Sequence, residues 1–277
     1  MPIGRSHSHS RSDFARKLRL RFPADTFEGN NMATKSDSTS LVSRQGWLLI
    51  LASLITIALY FIPYGRYVIY PLMLFSTFAH EMGHGLTAIL MGGQFVDFKM
   101  WSDGSGVARH LGSYGAVSRA LISAGGLTGP ALLGAAFFGL SRTGFVRLGL
   151  YLISAVAAFS LAFFVRNAFG VFFVVVFVMI CLAFAKMAPE AAVRFFLVFL
   201  GMQLSVTVFS RGDYLFMEYA ETSGGRMPSD VMQISDAIGG PYWLWGAMVG
   251  LLSIGVLVAG LWVFLRGGRE EASAKES

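Results

Sequence analysis

Long stretches without a charged residue recur along the chain and restrict the folds open to it. About 20 apolar residues in a helix cross the hydrocarbon core of a bilayer. Seven stretches have this length or nearly so. One of them, from about Val68 to Met91, is apolar except for His80, Glu81 and His84 near its middle. We therefore expect an all-α polytopic membrane protein with six to seven transmembrane helices. The other six stretches lie between residues 44–66, 119–142, 147–166, 166–186, 194–211 and 236–266.

The composition supports a membrane protein and excludes several other classes. Of the 277 residues, 55% are hydrophobic and only 14% are charged, unlike an ordinary soluble domain. The single cysteine, Cys181, excludes a disulfide scaffold. The net charge of +6 comes from basic residues at the N-terminus and at the ends of apolar runs, where they flank membrane spans. The expected partners therefore include the lipid bilayer, but neither nucleic acid nor a nucleotide.

Three regions differ in composition. Residues 1–44 are rich in Ser, Arg and Lys and are expected to form a disordered basic tail. Their eight Lys or Arg residues against four acidic ones favour a cytoplasmic N-terminus. Residues 45–266 are expected to form the transmembrane domain, and residues 267–277 a short polar tail.

Two segments outside the apolar runs have recognisable patterns. From Gln94 to His110 the sequence alternates in QFVDFKMW, turns at DGSG and resumes with VARH, which predicts a β-hairpin. Residues 211–236 are polar and are expected to form a loop with a short amphipathic piece.

The motif most informative about function is His80-Glu81-Met82-Gly83-His84, which matches H-E-x-x-H. On a helix, His80 and His84 share one face about 6 Å apart, so both imidazoles can bind one metal ion. Glu81 is turned about 100° from His80. Its carboxylate can therefore reach a metal-bound water and act as the general base of a zinc hydrolase. The alternative is that these are polar residues that only hold helices together.

A tetrahedral catalytic zinc site needs a third protein ligand and leaves the fourth position to water. The leading candidate is Asp213, which directly follows the apolar run 194–211 near a membrane boundary. The alternatives are Asp230 and Asp236, which helix capping would also explain, His110 at the end of the hairpin, and Glu218 and Glu221, which are expected to face water.

Arg166-Asn167 interrupts two apolar runs. The amide of Asn167 is a candidate for stabilising an oxyanion during hydrolysis. A simple turn between two helices explains the same two residues.

These residues resemble the site-2 protease family of intramembrane zinc metallopeptidases, in its compact branch without accessory domains. The resemblance extends from about Val68 to Leu265. The specific segment is FSTFAHEMGHGLTAILMGG, and the supporting segments are the hairpin, SAGGLTGPALLGA, VRNAFG, FSRGDYLF and SDAIGGPYWLWG.

The resemblance implies cleavage of a transmembrane protein substrate. It implies one zinc ion per chain, held by His80, His84 and Asp213, with Glu81 as the base. It also implies a multi-pass protein of a cell membrane, the inner membrane in a bacterium. The chain lacks the Asn-Pro-x-x-Asp-Gly type motif that carries the third ligand in better-known members, and SRGD stands in its place.

Two other functions are compatible with the motif. One is a non-catalytic membrane protein that keeps a structural or partner-binding metal site. The other is a metal transporter, which would need further ligands along its path. The other apolar runs contain almost no His, Asp or Glu, which disfavours transport.

Overall fold

The computed structural model describes residues 46–59, 61–210 and 212–266, and the side chains of all of these except 208–213. Both predicted tails lie outside the described residues. The helices are α1 (Gly46–Leu59), α2 (Gly65–Leu90), α3 (Ala116–Leu140), α4 (Val146–Phe163), α5 (Ala168–Met187), α6 (Glu190–Ser210), α7 (Asp230–Ile238) and α8 (Tyr242–Arg266). The strands are β1 (Gln94–Met100), β2 (Gly106–Leu111), β3 (Tyr219–Thr222) and β4 (Gly225–Pro228), and a 3-10 helix covers Gly212–Phe216.

The predicted fold class is confirmed, and the predicted number of spans is confirmed in part. Five described helices, α3, α4, α5, α6 and α8, are long and apolar enough to cross a membrane. Helix α2 has 26 residues, but it contains the polar motif and does not reach the same hydropathy. The described part of α1 is shorter than a span. The described residues therefore contain five candidate membrane spans, as expected of an integral membrane protein.

The last predicted span, residues 236–266, is wrong at its start. Gly239 and Gly240 have φ angles of 82° and 85°, which end α7 and separate it from α8. Positive φ angles of this kind are accessible mainly to glycine. Asp236 therefore lies inside α7 and is exposed, so it does not cap the last span.

The predicted hairpin is confirmed as the antiparallel pair β1–β2, with Gly104 at positive φ in the turn. Its first strand is tied to the turn between α4 and α5. The Phe98 N–H donates to the Phe164 carbonyl, and the Arg166 N–H donates to the Phe98 carbonyl. A second hairpin, β3–β4, was not predicted and lies in the segment expected to be a loop, where α7 is the expected amphipathic piece.

Helix α3 lies at the centre of the fold, where it contacts α2, α6, α7 and α8. It approaches α2 closely because glycines replace side chains on both helices. A Cβ added at Gly83 would overlap the Gly125 carbonyl, and one at Gly129 would lie 2.7 Å from the Ala79 carbonyl oxygen. The GGLTGP segment thus serves helix packing, as small residues do in membrane helices. This close approach brings α3 against the face of α2 that carries the motif.

Candidate metal centre

Helix α2 presents the motif residues as its sequence spacing predicts. The Nε2 atoms of His80 and His84 are 3.0 Å apart, and their rings meet edge to face with centroids separated by 4.6 Å. The Nδ1–H of His84 donates to the Ile122 carbonyl on α3 at 2.9 Å. This hydrogen bond fixes the ring and leaves Nε2 as the atom available to a metal.

A third possible metal ligand, Asp230, lies beside the two histidines and is the first residue of α7. Its Oδ2 lies 3.0 Å from His80 Nε2, and its Oδ1 lies 3.4 Å from His84 Nε2. Among the described residues, His80, His84 and Asp230 form a group that could hold a metal ion, because their ligand atoms all lie within 4.8 Å of one another. Two imidazole nitrogens and one carboxylate oxygen are a donor set that suits a catalytic zinc site.

The N-cap of α7 explains why the Asp230 carboxylate is available. Ser229 is the cap residue, and its hydroxyl accepts a hydrogen bond from the Met232 N–H at 3.2 Å. Asp230 therefore has no capping role, and only 4% of its surface is exposed. Burial raises the pKa of the Asp230 carboxyl, but the facing imidazoles of His84 and His80 outweigh burial and hold that pKa below its ordinary value. The carboxylate stays charged, as a metal ligand must.

Glu81 lies beside this cluster and packs against the first hairpin. It is only 3% exposed, and the backbone of Ala108 on β2 hydrogen-bonds to it. A Cβ added at Gly106 would lie 2.5 Å from Glu81 Oε1, so the absence of a side chain there lets β2 approach the carboxylate. Glu81 is not part of the group of possible metal ligands, which matches the role of a base that acts on water.

A family model for peptidase M50B-like proteins matches residues 50–260, more than half of the chain. The chain belongs to this family. The match confirms the resemblance drawn from the sequence, and membership supports a membrane-embedded metallopeptidase. No curated protein and no solved structure matches the chain significantly.

The other candidate ligands of this M50B-like chain fall into different places. The side chain of Asp213 lies outside the described residues, so its role as third ligand stays a prediction. His110 lines a small cavity together with His80, His84 and Asp230, but its ring is not among the possible metal ligands. Glu218 and Glu221 are exposed, as expected.

From the sequence alone, Asp230 ranks below Asp213 because helix capping also explains an aspartate at this position. One local signal could have raised its rank. The preceding residue, Ser229, is itself a preferred N-cap and leaves the aspartate carboxylate without a structural task.

Asn167 lies on the hairpin side of the site. Its Oδ1 accepts from the Met100 N–H at 3.1 Å, and its Nδ2 donates to the Met100 carbonyl at 2.5 Å. Both ends of the amide are thus used to hold β1, and Asn167 lines neither cavity described below. Its action on an oxyanion stays a prediction.

Two cavities meet at the motif of this M50B-like chain. The larger, of about 370 Å³, extends from His80 and Glu81 between the two hairpins, where Asp103 and Glu221 line it. The smaller, of about 70 Å³, contains His80, His84 and Asp230. The residues that line both cavities are His80, Glu81, Gly106, Tyr214 and Met227. The larger cavity therefore adjoins the metal group through these shared residues.

Proposed function

We propose that this chain is an intramembrane zinc metalloprotease that hydrolyses a peptide bond within or near a transmembrane segment of a membrane protein. The observation that carries the proposal is the convergence of His80, His84 and Asp230 beside Glu81, in a chain of the M50B-like family. His80, His84 and Asp230 would hold the ion. We thus propose Asp230 in place of Asp213 as third ligand.

The chemistry follows from the positions of these side chains. Bound zinc would lower the pKa of a water molecule and polarise the peptide carbonyl. Glu81 would take the proton from the attacking water and then pass it to the leaving nitrogen. Its burial and its packing against β2 hold the carboxylate in one place. This fixed geometry contributes to the rate because the base needs no reorientation.

The substrate must enter in extended form. A transmembrane helix uses its carbonyls in its own hydrogen bonds, so the scissile bond becomes accessible only after local unwinding. An unwound segment can recover hydrogen bonds by pairing with an exposed strand edge.

The edge that suits such a strand belongs to β2. The outer side of β1 is already bonded by residues 164–167. Within the described residues β2 pairs with β1 alone, and its residues Gly106, Val107 and Ala108 line the small cavity together with Glu81. A substrate strand added along β2 would run beside the metal group and would share this edge with Glu81, to which the Ala108 backbone already hydrogen-bonds.

The experiment compares membranes from cells that carry the wild type, Glu81→Gln or Glu218→Gln. Quantitative proteomics should find a full-length single-pass membrane protein that accumulates with Glu81→Gln. Glu218 is exposed and lines neither cavity, so its Gln variant controls for loss of a carboxylate elsewhere. The purified Glu81→Gln protein should keep its zinc.

The outcome that contradicts the proposal is a membrane proteome that is the same for all three chains. Zinc retained by all of them together with that result would favour the non-catalytic metal protein.

A further inference from the structure

Tyr214 is a residue at the metal group for which the sequence gives no role. It lies in the 3-10 helix Gly212–Phe216, directly after α6. Its hydroxyl donates to Asp230 Oδ2 at 3.2 Å. Its ring meets the His80 ring edge to face, with centroids 6.2 Å apart. Tyr214 also lines both cavities, so it stands where the metal group opens to the larger space.

The surroundings of Tyr214 hold it in this position. Its ring packs against an apolar cluster that contains Val231 and Ile234 of α7. The next residue, Leu215, is fixed by α8, because a Cβ at Gly246 would overlap the Leu215 carbonyl. The hydroxyl is thus presented to Asp230 by a segment that contacts both α7 and α8.

We propose that Tyr214 is a positioning residue for the third metal ligand. The proposal rests on the metal site proposed above. Asp230 comes from a nine-residue helix that follows a short hairpin, whereas both histidines share the long helix α2. The carboxylate is therefore the ligand most in need of orientation from outside its own element. A hydroxyl that donates to one carboxylate oxygen restricts rotation of the group before the ion binds.

Partners of this kind strengthen metal sites measurably. Removal of a hydrogen-bonding partner of a metal ligand typically weakens metal affinity or activity by about 10–100-fold. Tyr214→Phe removes the hydroxyl and keeps the ring, so the packing against α7 is retained. We expect zinc affinity to fall by about 10-fold, at the lower end of that range, because 3.2 Å is long for an O–H···O hydrogen bond.

The test measures zinc affinity of the full chain in detergent by competition with a chromogenic chelator. Tyr70→Phe is the matched control, since it removes a phenol hydrogen bond to the Ser102 carbonyl outside both cavities. The control should bind zinc as the wild type does. Thermal unfolding of the metal-free proteins should show Tyr214→Phe folded cooperatively like the wild type, with a melting temperature lowered by no more than the loss of one hydrogen bond accounts for.

A double-mutant cycle separates positioning from a general structural effect. If Tyr214 acts through Asp230, Tyr214→Phe should weaken zinc binding in the wild-type background. It should not change zinc binding in an Asp230→Ala background. The zinc concentration is raised in that background until half of the sites are filled, so that the weaker affinity can be measured. Wild-type affinity in Tyr214→Phe, or an equal loss in both backgrounds, would overturn the inference. A wild-type chain that binds no zinc would instead refute the proposed function.

Discussion

Two pairs of apolar helices in this protein differ in their relation to the candidate metal site and in the side chains on their outer faces. Helices α2 and α3 meet through glycines, and this approach places the Ile122 carbonyl on His84. Helices α4 and α5 carry large aromatic side chains, many of which point outward, such as Phe172 at 67% exposure. Helices α3, α4 and α5 reach the hydropathy of a membrane span and α2 does not, but the residues of the candidate metal site lie against the first pair. Among the described helices, glycines also let α3 approach α6 and α8, so the α2–α3 contact is distinguished by the motif residues that lie on it.

The largest effect is expected from Gly126→Ala on α3. An added Cβ would overlap the imidazole of His84, so the ring must leave its place against Ile122. We expect zinc affinity and cleavage to fall by about 10–100-fold, as when a ligand loses the groups that hold it. Gly139→Ala on the same helix has nothing within 4 Å of the new Cβ and should bind zinc normally. Normal zinc binding by Gly126→Ala would show that the close approach of α3 to His84 does not support the metal site.

A smaller effect is expected from separating the helices without touching a ligand. The Cβ of Gly83→Ala would overlap the Gly125 backbone carbonyl, which cannot move without shifting α3. Overpacking of this kind costs about 1–3 kcal/mol of unfolding free energy. At Gly149 on α4 the overlap is with the tip of the flexible Leu140 side chain, so Gly149→Ala should cost less. Equal losses in thermal unfolding of the two variants would contradict this ranking.

Asn167→Ala tests what the α4–α5 pair contributes to the site. The variant removes both hydrogen bonds to Met100 and loosens β1. A lost hydrogen bond of this type costs about 1–3 kcal/mol where the partner is left unsatisfied. We expect slower cleavage with unchanged zinc content, measured on the same preparations. Cleavage at the wild-type rate would show that the hairpin does not depend on this anchor.

The smallest effect is expected on the outer face of α5. Phe172→Ala should change unfolding free energy by less than about 0.5 kcal/mol and leave zinc content unchanged, because the side chain makes few contacts within the protein. Phe75→Ala in α2 should cost about 3–5 kcal/mol, because Phe75 is 1% exposed and stacks on Phe137 and Phe177. Similar losses for both variants would mean that the outer face is packed against something.

The features that the sequence predicts well are those encoded locally. The spacing of His80, Glu81 and His84 sets their common face on one helix, and the DGSG turn between alternating residues sets the first hairpin. Apolar length likewise locates the candidate spans, although the run 236–266 also contains the end of α7.

The features that it misses depend on contacts between distant segments. The helix break at Gly239 and Gly240 makes α7 a separate short helix, which packs on α3 and brings its first residue, Asp230, against the histidines of α2. No residue near Asp230 in the sequence indicates that its carboxylate contacts His80 and His84. The strands β3 and β4 have four residues each, too few for a periodic pattern to be recognised. The contact of Tyr214 with Asp230 cannot be predicted from the sequence either, because the two residues are 16 positions apart and a hairpin lies between them.

The zinc content of two single variants tests the proposed site most directly. Asp230→Asn and Asp213→Asn make the same chemical change at the two competing positions, and both proteins can be purified in detergent and assayed for bound zinc and for cleavage. With Asp230 as third ligand, Asp230→Asn should lose zinc and cleavage, while Asp213→Asn should keep one zinc ion per chain. Loss of zinc from Asp213→Asn together with full retention by Asp230→Asn would contradict the site built from His80, His84 and Asp230.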